Sequence, residues 1–168
     1  VIDGDTFVTA ENQIIRINGI QAPEKGLCGS DDSANTLEKL VVGKKVYIKI
    51  VYLDRYRRQI ANVYLSNGQS LGELLAAKRS VMVVQGGKSD KHHLDAGNQA
   101  RSAGIGLYGE PCTQRTNKKM PSCTIKANKN LGTTNNIYHT PACKAYTTVL
   151  IQLYLGDQWF CTEKEAIS

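Results

Sequence analysis

Short stretches in which apolar and polar residues alternate dominate the first half of the chain. Thr6–Ala10, Gln13–Asn18 and Lys45–Leu53 alternate and are rich in Val, Ile, Tyr and Thr, the period of strands with one buried face. Gln59–Leu65 continues the pattern and stops at Ser66-Asn67-Gly68, a tight-turn signal. Between these stretches the period changes. Over Ser33–Val42, Leu37, Leu40 and Val41 share one helical face, and Gly43 supplies a stop. Ser70 and Glu73 have capping-box spacing and open a second helix through Ala77. Ser89-Asp90 opens a third, polar helix that runs to about Ala103 and ends at Gly104, with His92 and His93 on its surface. Strands interspersed with helices, without a regular strand–helix repeat, predict an α+β domain, a small barrel with helices on its side.

The pattern breaks near Gly109. Residues Gly109–Ser122 carry two prolines and several charges and read as a linker. Beyond it Trp159-Phe160-Cys161 reads as a strand end, and Thr162–Glu165 as the capping box of a last helix. The chain therefore divides into a barrel domain over 1–111 and, over 112–168, a linker and small cysteine-containing α/β module. With 168 residues, 41% of them hydrophobic, there is room for one domain and an appendage. No run approaches the ~20 apolar residues that a membrane helix requires.

Charge narrows the choice of partner. Lys and Arg outnumber Asp and Glu by 21 to 15, a formal +6, which favours polyanions such as nucleic acid or an anionic surface. The five cysteines, Cys28, Cys112, Cys123, Cys143 and Cys161, are odd in number, so at least one stays unpaired within the chain. The chain opens on Val1-Ile2-Asp3-Gly4-Asp5, which reads as part of a strand, and no signal peptide is visible.

Three patches could carry chemistry. Asp3-Gly4-Asp5-Thr6 alone reads as a turn between strands. In Arg16-Ile17-Asn18-Gly19-Ile20-Gln21-Ala22-Pro23-Glu24 a strand bears an arginine and a proline fixes the backbone beside a carboxylate. Asp54-Arg55-Tyr56-Arg57-Arg58 alone reads as a solvated basic hairpin. Together they contain what phosphodiester hydrolysis needs: a base for the attacking water, hard oxygens for a metal and planar cationic donors for the developing charge. Arginine suits the last task because its fork donates two parallel hydrogen bonds.

The order of these patches resembles the staphylococcal (thermo)nuclease family from Val1 to about Gly109. The resemblance also takes in Ala61, Leu71–Ala77, Ala100-Arg101 and Gly106-Leu107-Tyr108-Gly109. It implies a five-stranded OB-type β-barrel with three helices. It implies a monomeric, sugar-nonspecific endonuclease that uses Ca2+ to hydrolyse DNA and RNA to 3′-phosphate products. Asp5 would be the calcium carboxylate, and Ala22 would offer its backbone carbonyl. Glu24 would position or deprotonate the water. Arg16 and Arg58 would hold the scissile phosphate, and Tyr56, with Arg55 beside it, would lie against the nucleotide phosphate.

Three departures stand out. The family's second calcium carboxylate falls on Gln21, which removes a negative charge and leaves room for weaker binding or another divalent ion. Arg57 occupies a usual glycine position, so the turn there must differ. The nucleotide-stacking tyrosines are replaced by Val83-Val84-Gln85-Gly86-Gly87. The alternative reading is a catalytically weakened or inactive barrel that binds nucleic acid or a protein partner.

In the last third, Cys123, His139, Cys143 and Cys161 are potential zinc ligands, but they lack a Cys-x-x-Cys knuckle. Short extensions that follow some bacterial nuclease domains resemble this part of the chain. Disulfides Cys28–Cys112 and Cys123–Cys161, with Cys143 free, are the favoured pattern and imply a bacterial protein exported to the periplasm or medium.

Overall fold

In the computed structural model, residues 1–84, 91–129 and 136–167 are described. The first part contains β1 (Thr6–Val8), β2 (Ile14–Ile17), β3 (Ile20–Gln21), α1 (Ser30–Val41), β4 (Val46–Leu53), β5 (Gln59–Leu65), α2 (Leu71–Ala77), β6 (Met82–Val83) and α3 (Lys91–Ala103). The four alternating segments make one sheet in the order β1-β2-β5-β4, with β2 and β5 parallel and the other neighbours antiparallel. A separate antiparallel pair joins β3 to β6. The α+β class holds. Among the described residues none of the sheets closes on itself, so the structure shows an open, four-stranded sheet where a closed five-stranded barrel was expected.

Ile15 and Ile17 from β2, Ala61 and Val63 from β5, Leu37 from α1, and Leu71 and Leu75 from α2 form the main core. Burying each large aliphatic side chain contributes about 1.5–3 kcal/mol, so this layer is what holds the helices on the sheet. α1 starts three residues before its expected start at Ser33. Gly29 precedes it at φ 82°, and Asp31 and Asp32 place negative charge in its first turn, where the helix dipole favours it.

One expectation about α3 needs correction and others are not reached. Its opening at Ser89-Asp90 lies outside the described residues, as does the side chain of His92. His93 is buried rather than on the surface, with Nε2 2.9 Å from Ser70 Oγ. It fits because Gly72 on α2 has no side chain; a Cβ there would lie 2.8 Å from His93 Cε1. Ser70 also caps α2, accepting a hydrogen bond from the Glu73 N–H at 3.4 Å.

The C-terminal region contains β7 (Thr113–Gln114), β8 (Ile125–Asn128), β9 (Ile137–His139), β10 (Ile151–Gln152), β11 (Gln158–Phe160) and α4 (Glu163–Ile167). Gly109–Ser122 is therefore more than a linker, because β7 within it pairs antiparallel with β10. β11, β8 and β9 form a second sheet, and Thr162 and Glu165 cap α4 reciprocally. Tyr154 packs with Ala100, Leu107, Tyr108 and Cys112, so this region shares a small core with the end of α3. Cys28 is bonded to Cys112 and Cys123 to Cys161, and the Cys143 thiol is free and exposed. No helix of the described residues is long and apolar enough to cross a membrane.

Candidate functional site

Asp5 sits immediately before β1 and is 4% exposed. The turn that delivers it needs Gly4, since a Cβ there would collide with the Ser33 hydroxyl of α1 and crowd Ala22. Asp3 Oδ1 accepts the Asp5 N–H at 2.9 Å and shapes the same turn. The Asp5 carboxylate accepts hydrogen bonds from the Thr6 hydroxyl at 2.7 Å and the Ala22 N–H at 2.8 Å. Arg16 Nη2 lies 3.3 Å from its Oδ2. Burial is the largest influence on this carboxyl and pushes it above the usual range, with neighbouring Asp3 acting the same way. Arg16, Thr6 and Ala22 pull in the opposite direction.

β3 carries Gln21 to the edge of this arrangement, half-buried, and Ala22 and Pro23 follow it into the interior. Glu24 then emerges exposed, and its carbonyl accepts the Leu27 N–H at 3.0 Å to close a turn. Four residues after Glu24, Cys28 ties the loop to Cys112.

The other arginine stands on the β4–β5 turn. Asp54 organises it by accepting hydrogen bonds from the Tyr56 and Arg58 N–H groups, each 2.9 Å, and from Arg58 Nε at 2.8 Å. Burial pushes the Asp54 carboxyl up, but the bonds from the Arg58 side chain and from the two backbone N–H groups outweigh it. The carboxyl stays below the usual range. Tyr56 is exposed, with the Arg55 and Arg58 guanidinium carbons 4.8 and 5.4 Å from its ring centre. Arg57 is accommodated by taking φ 63°, the left-handed region that favours glycine, so the expected change of turn is absorbed at that residue.

Sheet register relates the two clusters. Arg16 pairs with Thr6 on one side and Ile60 on the other. Arg58 lies just before β5, two residues ahead of Ile60, so the turn that carries it leads directly into the strand that pairs with Arg16. Asp5, Arg16 and Ala22 are brought into contact, as are Arg55, Tyr56 and Arg58; Gln21 and Glu24 border the first group through the chain. Sequence reasoning gave no role to Asp3, Thr6 or Asp54. The signal was present for all three, since each lies inside a patch that drew attention for its neighbours. Among the described residues no three His, Cys, Asp or Glu side chains converge as a metal-holding group, at Cys143 and His139 or elsewhere.

Residues 14–110 match the family described as Staphylococcal nuclease homologue. A protein named an uncharacterized endonuclease from Escherichia coli O157:H7 is 28% identical over 113 residues, spanning 66% of this chain and 74% of its own length. One of the same name from Haemophilus influenzae is 31% identical over 114 residues, spanning 66% of this chain and 64% of its own. A probable staphylococcal-like nuclease of Oryza sativa subsp. japonica is 38% identical over 63 residues, 38% of this chain and 17% of that protein.

Proposed function

The chain belongs to the staphylococcal nuclease family, and from that premise we propose that it is a metal-dependent endonuclease hydrolysing phosphodiester bonds of DNA, RNA or both. The supporting observation is the buried Asp5 carboxylate, met by Arg16 and the Ala22 N–H, with Arg58 held by Asp54 on the turn that leads into the strand beside Arg16. The same reading makes residues 1–111 an OB-type nuclease domain and 112–168 a C-terminal addition. Two disulfides support an oxidising compartment, hence export.

The residues fit a hard divalent ion. Burial and the adjacent Asp3 both disfavour a bare Asp5 carboxylate, and a cation would relieve both. Asp5, the Gln21 amide and the Ala22 carbonyl would hold the ion, with calcium the metal that the family implies. When bound it would neutralise charge on the phosphate. Arg16 and Arg58 would donate to the non-bridging oxygens, most strongly as charge builds on them in the transition state. Glu24, its carboxylate open to solvent, would orient the attacking water and accept its proton. The new bond forms between that water oxygen and phosphorus, and the bond to the 5′ oxygen breaks, leaving a 3′ phosphate.

A second reading, an inactive nucleic-acid binder, is favoured by one observation: three protein donors already satisfy Asp5, and Gln21 brings no charge. Incubation of the protein with plasmid DNA and with RNA, with calcium or with a chelator, separates the two. The nuclease reading expects cleavage that the chelator abolishes. Retention of oligonucleotides without cleavage in any divalent metal would establish the binder instead. Gln21→Asp should tighten calcium binding in calorimetry, because ligand charge strongly tunes calcium affinity. Unchanged affinity would remove Gln21 from the metal site.

A further inference from the structure

Gln21, Ala22 and Glu24 share the lining of a cavity of about 260 Å³ with Lys129, Tyr154 and Leu155. Those last three residues lie beyond the part of the chain matched by the nuclease family. We propose that Lys129 is a phosphate-binding residue of the nuclease cleft, supplied by the C-terminal region. This inference rests on the nuclease reading.

Three observations converge on Lys129. Its root is rigid. The Lys129 N–H donates to Asp157 Oδ1 at 2.8 Å, and Asp157 is itself buried and held by the Asn128 side chain and the Gln152 N–H. Its stem crosses Gly156 towards the Glu24–Cys28 loop. A Cβ on Gly156 would lie 3.3 Å from Lys129 Cδ and 3.9 Å from Leu27 Cδ1, so the lysine and the loop are near neighbours. The residue is exposed and, among the described residues, forms no ion pair.

Lys25 lines the same cavity, so two lysines share its lining with Glu24. In the nuclease reading Glu24 works beside the scissile phosphate held by Arg16 and Arg58, and a neighbouring phosphate of the same strand would be received by the two lysines that share Glu24's cavity. Lysine suits that role better than the scissile one: its ammonium is a mobile point charge that holds a phosphate without imposing bidentate geometry. The C-terminal region thus adds its own residues to the lining beside Glu24, and its docking through Tyr154 keeps them in place.

The test compares Lys129→Ala, Lys129→Arg and, as a control for net charge, Lys164→Ala in the exposed helix α4. Cleavage of DNA and RNA oligonucleotides is measured over a range of salt, and binding of labelled oligonucleotide is measured in chelator. Lys129→Ala should raise KM about five- to tenfold with kcat within about twofold, and should lower the slope of log affinity against log salt by about 0.7–0.9, the value of one phosphate contact. Lys129→Arg should restore most of both. If Lys129→Ala matches Lys164→Ala in binding and salt slope, or lowers kcat at constant KM, the proposal is overturned. Should the wild type bind but not cut, a Lys129-dependent salt slope would uphold this assignment while the nuclease reading fails.

Discussion

Arg58 owes its position to Asp54, whose carboxylate satisfies two backbone N–H groups and the Arg58 Nε together. Arg58→Ala and Arg16→Ala should each lower kcat by about 10²–10³-fold with a smaller effect on KM, as expected for groups that act on transition-state charge. Lysine at either place should rescue poorly, having no bidentate fork. A near wild-type rate for Arg58→Ala in single-turnover cleavage would exclude that residue from the mechanism. Tyr154 makes a pH-dependent prediction at the same scale. Burial, chiefly, and neighbouring Tyr108 push its phenol from 10.0 up to about 12. The raised value means that Tyr154 favours the folded state fully below pH 10 and loses that contribution as pH rises to about 12. Unfolding free energies from urea titrations over this range should fall more for the wild type than for Tyr154→Phe, by about 2–3 kcal/mol in total. Parallel curves would show that the hydroxyl is not ionising from a buried site.

At the scale of elements, glycines decide how closely α3 approaches the rest of the fold. Gly97 faces Val83 of β6, and a Cβ there would lie 2.6 Å from Val83 Cγ2 and 2.9 Å from Val83 Cβ. Alanine is worth about 1 kcal/mol more than glycine within a helix, but overpacking a filled contact costs about 1–3 kcal/mol. The clash is with the branch point of a β-branched side chain, which has little freedom to move. Gly97→Ala should therefore destabilise by about 1–2 kcal/mol, and Val83→Ala in the same chain should recover part of the loss. Chemical denaturation of the single and double variants measures this coupling. A stabilised Gly97→Ala would mean that α3 stands further from β6 than the structure has it. Because β6 pairs with β3, a displaced α3 is also expected to disturb Gln21.

For the whole molecule, the Cys28–Cys112 bond joins the Glu24 loop to the residue just before β7, across a sequence separation of 84. By the chain-entropy argument closing such a loop contributes about 4–5 kcal/mol. The paired substitution Cys28→Ser, Cys112→Ser should lower stability by that order, and it should also raise KM by freeing the loop relative to Lys129. Thermal denaturation and steady-state kinetics read the two effects separately. If both stay at wild-type values, the bond neither staples the fold nor holds the cleft. Lys126 of β8 is a further constraint on the C-terminal region. It is 1% exposed, its ammonium donates to the carbonyls of Tyr146 at 2.9 Å and Val149 at 2.6 Å, and it faces the Tyr146 and Trp159 rings. Burial, with Arg115 adding to it, holds its pKa below the ordinary lysine value.

What the sequence determined was local or carried by short motifs. Period-two alternation placed β4 and β5, and the Ser70 cap placed the start of α2, because both depend on neighbours within a few residues. The family was legible because Asp5, Arg16, Glu24 and Arg58 sit inside short patches whose order along the chain survives without any knowledge of distance. What the tertiary structure decided depended on contacts between distant segments. Two-residue strands such as β3 and β7 carry no periodic signal, and pairing with β6 and β10 alone makes them strands. His93 reads as a polar surface residue until Gly72 of another helix opens a place for it. Lys126 reads as a surface cation until two backbone carbonyls and two rings enclose it. Lys129 reads as one charge among many in a basic chain. Only the docking of Tyr154 against Tyr108 brings it to the cavity that Glu24 lines, since no local pattern encodes which distant wall a flexible ammonium will face.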